Sequence, residues 1–130
     1  MNLNIKEQMK FIRRGGETQR FHTVLTIQSD TVGHHSFGVA WMVWLLSMSE
    51  PSSNLIMAAL AHDLPEHHTG DIPAPAKRSM GIREQMHAEE EILLTKAGMS
   101  FSLTLEEARV LKMADSMDGM IFCVRERGMG

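Results

Sequence analysis

The sequence has no tyrosine, a single cysteine and no excess of positive charge. One cysteine, Cys123, excludes an intramolecular disulfide, and its neighbours Ile121, Phe122 and Val124 predict an inert thiol in the core. With 13 basic and 16 acidic side chains the formal charge is −3. That balance argues against a binder of nucleic-acid polymers, which carry a basic excess to replace phosphate counterions. A small anionic ligand is still compatible with it. The longest apolar run, Val39 to Leu46, falls far short of the roughly 20 residues that cross a bilayer, so no membrane span is expected. Met1 to Arg14 lacks the apolar centre and small-residue cleavage site of a secretory leader, and a cytoplasmic location is expected. Repeats, low-complexity tracts and dividing linkers are missing too, so the 130 residues predict one domain, 1–130.

What is present reads as helix. Twelve methionines, no tyrosine and few β-branched runs predict an all-α chain with essentially no sheet. Ile5 to Arg14 has Ile5, Met9 and Ile12 on one face, and Gly15-Gly16 is expected to end it. A second, central helix is expected from about His34 to Met48, with Trp41 and Trp44 on neighbouring positions of one face. Pro51 to Asn54 reads as a break plus an N-cap, followed by a buried helix from Leu55 that ends at His62-Asp63. Pro65 to Lys77, with three prolines and a glycine, forbids a long regular helix. Ile82 to Lys96 should expose Glu89, Glu90 and Glu91, bury Ile92, Leu93 and Leu94, and stop at Gly98. The capping box at Thr104 to Glu107 opens a last helix to about Arg127, with Val110, Met113, Ala114, Met117, Met120, Ile121 and Val124 facing inward.

His62-Asp63 is costly at the end of so apolar a helix, because a buried carboxylate without a partner costs several kcal/mol. With His35 at a helix start and Asp115 inside the last helix, it offers two imidazole nitrogens and two carboxylate oxygens to one divalent ion. Such an ion lowers the pKa of a bound water towards neutrality, a route to hydroxide without a nucleophilic side chain. The polar, rigid segment that follows is the expected substrate pocket. His67 and His68 are read as supporting or exposed groups, and His87 as surface.

The segments Gly33-His34-His35-Ser36, Ala61-His62-Asp63-Leu64-Pro65-Glu66, Thr69 to Lys77 and Lys112-Met113-Ala114-Asp115 together resemble the HD-domain metal phosphohydrolases. His-Asp-x-x-Glu followed by Thr-Gly-Asp-x-Pro-x-Pro-x-Lys is narrower, and is similar to bacterial 5′-deoxynucleotidases and small phage deoxynucleoside triphosphohydrolases. The resemblance spans about residues 10 to 127 and implies a bundle of five or six helices around a central metal site.

It further implies His35, His62, Asp63 and Asp115 as ligands of zinc, cobalt or manganese, with His34 only a neighbour, and Glu66 as the proton-transfer residue. Arg20, Lys77 and Lys112 would hold phosphate, and Phe21, which departs from the tryptophan common there, would shield the sugar. Asp71 would meet the 3′-hydroxyl of a deoxyribose, and Pro75 with His22 to Thr23 would lie near the base. Three cations, a short chain and the lack of further C-terminal helices favour a triphosphate over a monophosphate, with dATP the leading substrate by resemblance. A 5′-deoxynucleotidase acting on monophosphates and a non-catalytic nucleotide-binding HD domain stay open. A homo-oligomer, dimer or hexamer, is expected, with Arg125 to Arg127 at an interface, in the cytoplasm of the cell or of a phage's host.

Overall fold

A computed structural model describes residues 2–21 and 25–129 of the chain; His22 and Thr23, placed near a base above, lie outside the described residues. The order is α1 (Ile5–Glu17), β1 (Gln19–Arg20), β2 (Asp30–Thr31), α2 (Val32–Leu46), α3 (Ser53–Ala61), α4 (Glu66–Thr69), α5 (Ala74–Ser79), α6 (Arg83–Ala97) and α7 (Leu105–Met129). Five long helices and two short ones make the all-α fold that the composition predicts. A single two-stranded antiparallel ribbon, pairing Gln19 with Thr31 and Arg20 with Asp30, is the sheet among the described residues.

Local chemistry sets the ends. Asn4 and Glu7 form a reciprocal capping box for α1, and Thr104 and Glu107 do the same for α7. Ser52 caps α3, Thr31 caps α2, and Gly98 closes α6 at φ 72°, a left-handed conformation that glycine adopts without strain. Helix α2 is the central element and packs chiefly on α7 and α3, then on α1. Val39, Val43, Leu55, Ala59 and Ala114 lock α2, α3 and α7 together, while Phe11, Ala61, Leu64, Leu94 and Ala97 tie α1 and α6 to the end of α3. Each fully buried valine contributes about 1.5–3 kcal/mol relative to exposure. His62-Asp63 sits at the seam between the two clusters.

Several elements differ from the sequence expectations, each for a packing reason. Gly15-Gly16 does not end α1; the helix continues to Glu17, and Gly15 is buried because its missing side chain lets the helix lie on the backbone of Leu64. The face of α1 that turns inward carries Phe11 and Gly15, leaving Ile5, Met9 and Ile12 exposed. On α6, Leu94 is buried whereas Ile92 is exposed, and Glu90 turns inward to Lys77. On α7, Ala114 and Phe122 are the buried apolar residues, and Met113, Met120, Ile121 and Val124 face outward. Cys123 is exposed, not in the core, because Phe122 takes the inward position.

Candidate active site

Three helix ends or faces bring the chemistry together. Thr31 starts α2 so that His35 falls one turn inside it, 1% exposed. Ala61 ends α3, and His62 as its C-cap lets both His62 and Asp63 turn towards α2 and α7. Midway along α7, Asp115 follows the buried Ala114. His35 Nε2 lies 2.6 Å from Asp115 Oδ1 and 3.6 Å from Asp63 Oδ2; His62 Nε2 lies 3.3 Å from Asp63 Oδ2 and 3.6 Å from Asp115 Oδ1.

This arrangement fits a divalent ion. One ligand atom from each of the four residues lies within 4.8 Å of all the others. Bonds of about 2.1 Å put neighbouring donors roughly 3–3.5 Å apart, and the four distances, from 2.6 to 3.6 Å, bracket that range. His62 Nδ1–H donates to the Ala59 carbonyl at 2.8 Å, which holds a proton on Nδ1 and turns Nε2 towards Asp63 and Asp115. That Nε2 is buried without a hydrogen-bond partner, as suits a nitrogen that would ligate a cation.

Without the ion the groups titrate as a set. Burial alone would lower the His62 imidazole, but the charges of Asp63 and Asp115 outweigh it and raise its pKa well above the usual value. Burial likewise opposes ionisation of Asp63 and Asp115, yet His62 for the first, and His35 with His62 for the second, hold both carboxyls below their ordinary value. Glu66 behaves oppositely. Burial, followed by the negative charges of Asp63 and Asp71, pushes it up to about 9 against the pull of Lys77 and Arg20. Its Oε2 is buried and unpartnered.

The same charges show that Arg20, Asp71 and Lys77 lie near Glu66. Asp71 accepts the backbone N–H of Phe21 at 3.2 Å, tying the Thr69 to Lys77 segment to the ribbon. Phe21 adopts φ 56° and stacks on Phe122 with ring centres 4.9 Å apart, under the Arg20 guanidinium. Lys77 Nζ is 3.7 Å from Glu90. Lys112 stands with His62, Asp63 and Asp115 on the wall of a cleft of about 450 Å³, and a neighbouring cavity of about 610 Å³ shares Arg83, His87, Glu90 and Asp115 with it and adds Lys77 and Arg78. His87 is thus exposed but placed on both walls. Pro75 is exposed in the first turn of α5 and lines neither cavity. His34 points to Asp30, 3.2 Å away, and not to the cluster. His67 is held by the Leu64 carbonyl and packs edge-on against Phe11, while His68 is exposed.

Two residues of this region, Asp30 and Asp118, went unremarked in the sequence, and a third, Glu90, was expected on an exposed face. Asp30, 3% exposed, anchors Arg20 Nη1 at 2.9 Å, and nothing in a ten-residue separation announces the pair. Glu90 was hidden in a run of three glutamates. Asp118 Oδ2 accepts from His35 Nδ1 at 2.7 Å, and its place three residues after Asp115 was a signal available from helix geometry.

A family profile described as HD domain matches residues 6–128. The chain is 25% identical over 136 aligned positions to a 5′-deoxynucleotidase of Vibrio vulnificus (strain YJ016), covering 86% of this chain and 70% of that protein. At 21% identity it shares its fold, with a TM-score of 0.72, with the cyanophage S-2L HD phosphohydrolase DatZ, solved bound to dA and one catalytic Zn2+ ion; the match covers 94% of this chain and 72% of that one. Among the described residues no helix is long and apolar enough to cross a membrane.

Proposed function

Because the chain belongs to the HD-domain family, we propose that it is a metal-dependent phosphohydrolase of 2′-deoxynucleotides, one unit over residues 1–130. The observation that carries this reading is the four-ligand cluster of His35, His62, Asp63 and Asp115 beside the buried, unpartnered Glu66. A divalent ion held there, zinc, cobalt or manganese, supplies Lewis acidity and hydroxide near neutral pH.

The residues supply the rest. Hydrolysis puts a water oxygen on the phosphorus next to the sugar, breaks the bond to the 5′-oxygen and delivers a proton to that oxygen. Glu66 holds and moves that proton at Oε2, where burial keeps it a carboxylic acid at neutral pH in the metal-free protein. Arg20, fixed by Asp30, binds phosphate oxygens through its fork of donors, and Lys77 and Lys112 add point charges. Asp71 meets the deoxyribose, with Phe21 shielding it and Pro75 at the outer rim.

The preferred substrate is a deoxynucleoside triphosphate, releasing deoxynucleoside and triphosphate. Arg78, Arg83 and His87 on the cavity next to Lys77 support it, since a single phosphate leaves them without a task. The structural relative holds dA, which makes dATP the first substrate to try. Incubation with dATP and with dAMP, each with Zn2+, Co2+ or Mn2+, is expected to release tripolyphosphate from dATP. Phosphate from dAMP with no product from dATP would establish the monophosphatase instead. Activity unchanged in both Glu66→Ala and Asp115→Ala would rule out the enzyme as described, and the absence of hydrolysis with every metal and substrate would leave the non-catalytic domain. A homo-oligomer is supported by the exposure of Ile5, Met9, Trp41 and Met120, apolar surface that a second copy can cover.

A further inference from the structure

His35 is held from both sides by one helix. Its ring is buried; Nε2 faces Asp115 at 2.6 Å and Nδ1 faces Asp118 at 2.7 Å. Asp115 and Asp118 are three residues apart on α7, so successive turns present one carboxylate to the ligand cluster and the other behind the imidazole. A carboxylate can only accept, so Asp118 takes a hydrogen bond from Nδ1–H, and a cation held among Asp63, Asp115 and His62 would take the place of any proton on Nε2 and leave the one on Nδ1.

The two ligand histidines are therefore aimed by different means. His62 is oriented by its own helix through the Ala59 carbonyl, whereas His35 depends on a charged group from another element. Room for that group comes from Gly38, one turn after His35 on α2. A Cβ at position 38 would overlap the Asp118 carboxylate, with Cγ only 2.7 Å away.

Resting on the metal site proposed above, we propose that Asp118 is a positioning residue for the metal: it fixes the tautomer and aim of His35, and Gly38 is the notch that admits it. An anionic acceptor behind a ligating imidazole also strengthens its donor power, and losing such a partner costs about 10–100-fold in metal affinity.

The test is Zn2+ affinity of the metal-free protein by competition with a chromogenic chelator. Wild type would be compared with Asp118→Ala, Asp118→Asn, Gly38→Ala and the double variant Gly38→Ala with Asp118→Ala. Urea denaturation without metal reports whether each variant is folded. Asp118→Ala should bind Zn2+ about 10–100-fold more weakly. Asp118→Asn keeps an acceptor without the charge and should lose less, which holds the question open to measurement if the alanine variant unfolds. Gly38→Ala should weaken binding similarly, and the double variant should be no worse than Asp118→Ala, because alanine at 118 removes what the new methyl group strikes. The visible spectrum of bound Co2+ should change in Asp118→Ala, a signature that altered stability alone does not produce. Zn2+ affinity within twofold of wild type in folded Asp118→Ala or Asp118→Asn overturns the positioning role while leaving the metal site intact. Losses that multiply in the double variant overturn the role of Gly38. Wild type that binds no Zn2+ overturns the metal site itself, and the positioning role with it.

Discussion

Adjacent glycines in α1 should respond to alanine with opposite signs. Both Gly15 and Gly16 lie within the helix, where alanine is favoured over glycine by up to about 1 kcal/mol. At Gly16 the new methyl meets Gly33 Cα at 3.8 Å, an ordinary contact, so propensity wins and stability should rise by several tenths of a kcal/mol to about 1. At Gly15 it meets Leu64 Cδ2, O and Cα at 2.7, 2.8 and 2.9 Å. The side-chain carbon can swing away; the carbonyl and Cα are backbone and cannot. Carbon contacts need about 3.5–4.0 Å, so α1 must lift from the end of α3, and overpacking of that kind costs about 1–3 kcal/mol. The cost exceeds the propensity gain, and Gly15→Ala should lose roughly 1 kcal/mol or more. The two variants then differ by about 2 kcal/mol, close to 1 M in urea midpoint. Unfolding of the metal-free protein followed by the fluorescence of Trp41 and Trp44 measures it. Because Leu64 follows His62-Asp63 directly, Gly15→Ala should also weaken Zn2+ binding. A Gly15→Ala midpoint equal to or above that of Gly16→Ala would refute the close approach of α1 to Leu64.

Other outcomes follow from single contacts. Glu66 is raised from an ordinary 4.5 to about 9 in the folded, metal-free chain, so its contribution to stability is full below pH 4.5 and is lost as pH rises towards 9. Glu66→Gln should therefore melt higher than wild type at pH 8, by a few kcal/mol, and equal it near pH 4, while abolishing hydrolysis; a pH-independent difference in melting would contradict this. Asp30→Ala strips the partner from Arg20 in a nearly buried pair and should cost about 3 kcal/mol, with KM for the nucleotide raised more than kcat is lowered; an unchanged KM would remove Asp30 from the site. Charge placed on the exposed face of α2, as in Trp41→Glu, should reduce self-association in analytical ultracentrifugation, and a wild-type chain that sediments as a monomer would end the oligomer reading.

The helices were legible because their signals are local. Capping pairs such as Thr104 and Glu107 act across three residues, and the turn at Gly98 needs one backbone conformation, so both can be read along the chain. The candidate ligand cluster was legible through residue chemistry and motif spacing, and the structure gathers one donor atom from each of its four members within 4.8 Å. Faces were less so. Periodicity located apolar stripes on α1 and α7, but a stripe does not say which neighbour lies against it, and Phe11 with Gly15 turned out to be the packed side of α1.

The order of residues alone thus determined the all-α class, most helix ends and the candidate ligand set, because each depends on groups close in sequence or on rare side-chain types in a recognisable spacing. Tertiary structure decided what surrounds them. Asp118 reaches His35 across 83 residues, and Asp30 holds Arg20 across a turn of ribbon. Glu66 acquires its shifted acidity from burial among Asp63, Asp71, Lys77 and Arg20. Hydrogen-bond partners and electrostatic surroundings of this kind are set by distances through space, which exist only once the helices have packed.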